Sequence, residues 1–222
     1  MSSFGLKLIG IITMLLDHIG YAFFDDSILR VIGRIAFPIF AFQLVIGFEH
    51  TKDIKKHLLK LLFFAFISQL PYYFFRSINS NGFYLNIMFT LLLALITIIL
   101  FNKFEKKLDG FILVFLMCIL AEVLNVSYGW FGICLVFIFY YFKDSKIKKS
   151  IAFIVLCLIY YILYIIFDDT IYYLFLLFGT ILALIPILLY NNKEGKKLSN
   201  LFYWFYPVHM MVIYLFYIII KG

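Results

Sequence analysis

Two adjacent ionisable residues, Asp17 and His18, interrupt the first long apolar run of this chain, and Arg34 interrupts the second. A charged side chain at the centre of a membrane-inserted helix costs about 2.5 to 3.5 kcal/mol on insertion scales, so such groups are kept where they pair or do chemistry. Histidine is suited to taking and returning a proton near neutral pH. Arginine suits negative charge developing on a reacting oxygen. Consecutive helical residues point about 100° apart, so Asp17 cannot orient His18 by adjacency. Asp17 is expected instead to pair with Arg34 or Arg30, leaving His18 to face a cavity. Arg30 and Arg34 are four apart and share a helix face, as do Thr13, Asp17 and Tyr21.

Further polar residues fall within or at the ends of apolar runs. Gln69 lies beside Pro71, Asn86 opens a run, and Glu122 and Asn125 close another. Interhelical hydrogen bonds of about 0.6 to 2 kcal/mol account for Gln69, Asn86 and Asn125; Arg30, Gln69, Asn86, Glu122 and His209 are also the candidates for contact with a substrate. His209 follows Pro207, whose missing N–H frees a backbone carbonyl near Tyr203, so it either satisfies that polarity or serves a proton relay. Glu49 and His50 end a run beside Lys52, Lys55 and Lys56, well placed to touch a water-soluble, anionic cosubstrate. No HExxH, CxxC, P-loop or GxGxxG spacing occurs, so metal, nucleotide-hydrolysis and dinucleotide chemistry have no support in the sequence. Cys118, Cys134 and Cys157 lie within apolar runs at unrelated spacings and read as small hydrophobes rather than a disulfide framework.

The elements that must carry these residues are membrane helices. With 65% hydrophobic and 22% aromatic residues, only 14% charged and a mean hydropathy of +1.05, the chain is far more apolar than a soluble domain of its length. Its charges collect in short clusters between apolar runs at roughly 5–24, 28–48, 57–75, 83–101, 111–126, 128–142, 150–167, 171–190 and 200–220. Nine such runs predict an all-α, polytopic integral membrane bundle in one domain, residues 1–222, since barrel strands would alternate in polarity over about ten residues. Runs 111–126 and 128–142 are short and joined without charge, so they either cross twice or re-enter as a hairpin. Numbering the connections alternately places 15 of the 19 basic residues on the N-terminal side, against Arg30, Arg76 and Lys221 with the acidic pairs Asp25-Asp26 and Asp168-Asp169 on the other. That bias predicts a cytoplasmic N-terminus. The net charge of +7 then reflects a basic rim against anionic lipid headgroups and calls for no nucleic-acid partner. The first run contains Asp17 and His18 and ends in no small-residue pattern, so it is expected to stay as a helix.

Charged residues at this depth would also suit an ion-coupled carrier, which would commonly show two similar halves; none are found here. A non-catalytic partner of a secretion or conjugation system is a further alternative. The stretch from Lys7 through Asp17-His18-Ile19-Gly20, then Leu29-Arg30-Val31-Ile32-Gly33-Arg34-Ile35-Ala36-Phe37-Pro38 and Gly47-Phe48-Glu49-His50-Thr51, resembles the TraX family. Ser68-Gln69-Leu70-Pro71, Asn86-Ile87-Met88-Phe89-Thr90 and Tyr206-Pro207-Val208-His209 are similar to the same family's pattern. The family is named for a protein that N-acetylates pilin, and it is similar to transmembrane acyltransferases that move acyl groups from cytoplasmic acyl-CoA to acceptors at the outer face. The resemblance implies a bacterial cell-membrane enzyme that uses acetyl-CoA or another acyl-CoA, with no metal. It implies His18 as base framed by Asp17 and Arg34, and an amine or hydroxyl acceptor on a protein N-terminus, glycan or lipid-linked molecule. Residues 100–200 match in hydropathy alone, which leaves acceptor choice open.

Overall fold

A computed structural model describes residues 1–24, 28–168, 170–196 and 199–221, with the side chains of Asp168 and of residues 199–201 excepted. Asp25, Asp26, Asp169 and Lys197, which entered the charge count above, lie outside the described residues. Those described form helices and no strand: α1 (Ser3–Phe23), α2 (Ile28–Gly33), α3 (Ala36–His50), α4 (Ile54–Arg76), α5 (Ile87–Phe101), α6 (Lys107–Val123), α7 (Gly129–Tyr141), α8 (Lys146–Asp168), α9 (Tyr172–Ile181), α10 (Leu184–Leu188) and α11 (Ser199–Lys221). Five stretches are long and apolar enough to cross a membrane: Ser3–Phe23, Ile28–His50, Ile54–Arg76, Lys146–Phe167 and Phe202–Lys221. The outward faces of the bundle are apolar, with Phe66, Phe167 and Ile219 exposed by 66%, 79% and 79%. Water would not tolerate so wide a greasy surface, whereas lipid matches it. The chain is a helical membrane bundle.

Two predicted runs are each broken in the middle. Arg34 and Ile35 form a turn between α2 and α3, and Leu182 and Ala183 form one between α9 and α10. Each break lies four residues before a proline, Pro38 and Pro186, whose missing N–H leaves the carbonyls of Arg34 and Leu182 without their helical partners. Pro71 and Pro207, by contrast, sit inside the unbroken α4 and α11. The run expected from 83 begins its helix only at Ile87, because Leu85 pairs with Val126 in an isolated parallel bridge. The runs 111–126 and 128–142 form two continuous helices, α6 and α7, folded back on one another through residues 124–128. This brings Cys118 Sγ to 3.5 Å from Cys134 Sγ, a proximity that their spacing did not suggest.

Around a core of Leu6, Ile39, Leu95, Phe131, Phe139, Phe153 and Met210, α1 packs on α2, α3 and α11, α4 packs on α5 and α11, and α2 lies against α9. Close backbone approach sets the α1–α2 contact, since a Cβ on Gly33 would lie 2.6 Å from Asp17 Cα. Small residues at helix crossings are the usual means of packing in lipid, where no water-driven term pulls helices together.

Candidate functional site

The break at Arg34 and the contact at Gly33 put two intramembrane charges face to face. Arg34 Nη2 donates to both carboxylate oxygens of Asp17, at 2.7 and 3.0 Å, while Arg30 Nη1 lies 3.5 Å from Asp17 Oδ1. The side chains of Arg34 and Asp17 are only 14% and 13% exposed, so the pair sits where charges must be compensated. Arg34 also donates through Nε to the Arg30 carbonyl and through Nη1 to Tyr128 Oη, each at 3.4 Å. The expected pairing of Asp17 with Arg34 is present, with Arg30 as a second, longer partner.

His18 faces a residue 191 positions away. Its Nδ1 lies 2.6 Å from His209 Nε2, the two rings nearly coplanar at 5°, and His209 Nδ1 lies 2.6 Å from the carbonyl oxygen of Phe205. A carbonyl only accepts, which fixes the direction of the whole chain in a neutral pair. His209 Nδ1–H donates to Phe205, its Nε2 accepts from His18 Nδ1–H, and His18 Nε2 keeps a lone pair. His18 lines a cavity of about 450 Å³ together with Asp17, Arg30, Arg34, Arg76 and Glu122. The arrangement therefore offers a base of fixed tautomer beside a guanidinium cluster, which suits removal of a proton from a nucleophile and stabilisation of an oxyanion.

The connections 77–86 and 124–128 line this cavity through Tyr84, Asn125, Val126, Ser127 and Tyr128 and are tied to one another. Leu85 N–H donates to the Asn125 carbonyl and Ser127 N–H to the Leu85 carbonyl, at 3.0 and 2.9 Å. Ser127 Oγ donates to the Leu85 carbonyl at 3.1 Å and accepts from the Tyr72 hydroxyl at 2.8 Å. Tyr128 adopts φ +64°, a left-handed conformation that a bulky residue rarely takes and that costs on the order of 1–3 kcal/mol. The strain carries its ring onto Phe37, with centroids 4.0 Å apart, and its hydroxyl to Arg34.

Not every candidate reaches this cavity. Gln69 and Asn86 do not line it. Asn86 Nδ2 donates to the Ala65 carbonyl at 2.7 Å and to Gln69 Oε1 at 2.9 Å, its Oδ1 accepts from Met88 N–H, and Gln69 Nε2 donates to the Tyr84 carbonyl, so the pair locks α4 to the start of α5. Glu122 lines the cavity, but its carboxylate accepts from Trp130 N–H at 2.7 Å and caps α7. His209 stands behind His18 rather than on the cavity wall.

At the lysine-rich end, a second cavity of about 370 Å³ is lined by Lys7, Phe40, Gln43, Lys56, His57 and Lys60 among others. Of the residues expected at a cosubstrate site, only Lys56 lines it. Glu49 pairs with Lys143 at 2.9 Å and holds that ammonium above the ordinary lysine range, His50 Nδ1 donates to the Ile46 carbonyl of its own helix, and Lys52 and Lys55 are exposed. Lys7, His57 and Lys60 were not singled out in the sequence, although Lys56 and Lys60 stand four apart on one face. Lys60 Nζ lies 4.2 Å from the Tyr203 ring centroid. Phe40 lines both cavities, and its ring packs against Gly10.

A polytopic helical membrane protein with a buried histidine and a compensated charge cluster facing a polar cavity is the class that fold and site define. Residues 3–217 match the family described as TraX protein, and the chain belongs to that family. It is similar to a protein of Dichelobacter nodosus described as "Probable fimbrial assembly protein FimC, serogroup H1", at 30% identity over 237 residues covering 96% of this chain and 94% of that protein. No solved structure matches it.

Proposed function

We propose that this chain is a bacterial cell-membrane acyltransferase that takes an acetyl group from acetyl-CoA at its lysine-rich, cytoplasmic face and passes it to an amine or hydroxyl acceptor entering the cavity from the opposite face. The observation that carries this reading is the Phe205–His209–His18 chain, which leaves His18 Nε2 as an acceptor on the cavity wall. In the reaction, His18 Nε2 takes the proton of the acceptor N–H or O–H as the nucleophile attacks the thioester carbonyl carbon. The oxyanion that forms faces the Arg34 and Arg30 cluster; its collapse breaks the C–S bond, and the leaving thiolate recovers the proton from His18. The products are the acetylated acceptor and free CoA.

The lysine-lined cavity supports a donor site for an anionic, partly apolar molecule, now centred on Lys7, Lys56 and Lys60 rather than on Lys52 and Lys55. Phe40 borders both cavities, and its ring would have to move for a slender arm of the donor to pass from one toward the other. The D. nodosus relative's description as a fimbrial assembly protein favours a surface-protein acceptor such as a pilus subunit. Two cavities meeting at one ring would also suit a carrier, and one experiment separates the readings. Purified protein incubated with labelled acetyl-CoA and membrane extract should label an acceptor and release CoA only when acceptor is present, and His18→Ala should abolish both while keeping normal abundance in the membrane. Transport of label without CoA release, or full activity of His18→Ala, would overturn the proposal.

A further inference from the structure

The cavity contains three guanidinium groups, Arg30, Arg34 and Arg76, and two carboxylates, Asp17 and Glu122. Asp17 serves Arg30 and Arg34, and Glu122 accepts from Trp130 N–H. Arg76 has no carboxylate partner among the described residues. Among the described residues its buried Nε has no hydrogen-bond acceptor, and its Nη1 reaches the Tyr72 hydroxyl alone, at 3.5 Å. The guanidinium is held flat rather than left to roam: it lies 3.8 Å from the Tyr84 ring centroid, while the Tyr21 hydroxyl donates to the Arg76 carbonyl at 3.0 Å. A stacked guanidinium with unused in-plane donors is the arrangement that receives a carboxylate or phosphate. Leaving it unpaired in a partly dehydrated cavity is costly, and an arginine with only a lipid-interface role would extend its head outward instead.

We infer that Arg76, oriented by Tyr84 and Tyr72, is an anion subsite that selects acceptors carrying a carboxylate or phosphate near the nucleophile. Tyr21, whose hydroxyl holds the Arg76 carbonyl, stands three residues beyond His18 on α1, and His18 and Arg76 line the same cavity. An acceptor that places its nucleophile at His18 would then present its anion to Arg76 within the same cavity. The inference rests on the proposed acyl transfer for its meaning, though binding at Arg76 does not require it.

The test uses the full chain purified in detergent and three matched series of small amines: ω-amino carboxylates, ω-aminoalkyl phosphates and the neutral ω-amino amides of equal length. The anionic probes should be acetylated at least 10-fold more efficiently than the amides, and should raise the unfolding temperature of the protein where the amides do not. Arg76→Gln should erase both preferences, Arg76→Lys should retain part of each, and Tyr84→Leu, which leaves the charge but removes its platform, should fall between. Preference for carboxylate over phosphate would point to a protein acceptor, and the reverse to a phosphate-bearing glycan or lipid. Equal use and equal binding of anionic and neutral probes, or a preference that survives Arg76→Gln, would overturn the subsite. If no probe is acetylated yet the anions still stabilise the wild type and not Arg76→Gln, the subsite stands and the acyl-transfer reading fails.

Discussion

Asp17 is the residue whose loss the charge cluster can least absorb. It sits between two guanidiniums, at 2.7 Å from Arg34 and 3.5 Å from Arg30. Coulomb energy falls inversely with distance, so Arg30 supplies roughly three-quarters of the attraction per charge that Arg34 does. Asp17→Asn therefore strands two cations that then repel one another, and should destabilise the bundle by about 3–5 kcal/mol, the range for breaking a buried pair. Arg34→Gln leaves Asp17 with Arg30 still beside it, and should cost clearly less, about 1–3 kcal/mol. Arg30, with its side chain 20% exposed, should cost least of the three when replaced by Gln.

The double variant Asp17→Asn/Arg34→Gln removes the close pair and leaves Arg30 as the lone cation. It should be more stable than Asp17→Asn alone, with a coupling energy of about 1–3 kcal/mol, but short of wild type until Arg30→Gln is added. Equilibrium unfolding in mixed micelles, followed by near-ultraviolet circular dichroism, measures each term without relying on activity. Equal losses for Asp17→Asn and Arg34→Gln with an additive double variant would refute the three-centre account, because neither arginine would then be compensating for the other.

His209 acts through His18, and its variants should separate position from packing. His209→Phe keeps an aromatic ring but removes the acceptor for His18 Nδ1–H, an unpaired buried donor worth about 1–3 kcal/mol, so kcat should fall by about 10- to 100-fold with little change in the donor KM. His209→Gln, which can still accept, should recover a good part of that loss; an unaltered kcat in His209→Phe would break the chain from Phe205 to His18. At the second cavity, Lys56→Gln with Lys60→Gln should raise the KM for acetyl-CoA several-fold at low ionic strength, shrinking as salt is added, and leave the acceptor KM alone. An unchanged donor KM at low salt would move the donor site elsewhere.

Helix-scale features could be read directly along the chain. Hydropathy located the apolar runs because each helix must meet lipid by itself, and Asp17 with Arg34 paired as expected because both depths follow from a rise of 1.5 Å per residue. What escaped depended on the packing of distant helices. His209 meets His18 only because α11 packs beside α1, and nothing local to Tyr206-Pro207-Val208-His209 specifies that neighbour. Gln69 and Asn86, which read both as interhelical hydrogen-bond partners and as candidates for substrate contact, take the first role, because the irregular backbone at 84–86 consumes them. Arg76 was counted simply as a basic residue of a loop, because its stacking on Tyr84 depends on how the 77–86 connection folds back.

Pro38, which breaks its helix, brings Arg34 onto Asp17. Were residues 28–50 one straight helix, the Arg34 carbonyl would bond the amide at position 38 and its side chain would follow the regular helical track. Pro38 supplies no amide, α2 ends at Gly33, and Arg34 turns with its Nε returned to the Arg30 carbonyl and its Nη2 on Asp17. Gly33 makes the turn compatible with close contact to α1, since any side chain there would collide with Asp17. The charges of this region thus neutralise one another, Asp17 on α1 holding both Arg30 and Arg34. Two polar groups on the cavity wall stand outside that compensation: the Nε2 lone pair of His18 and the guanidinium of Arg76. A purely structural cluster would have no reason to leave a base and a cation uncommitted in one cavity, and a molecule bearing both a proton to give and a negative charge to place would complete them together.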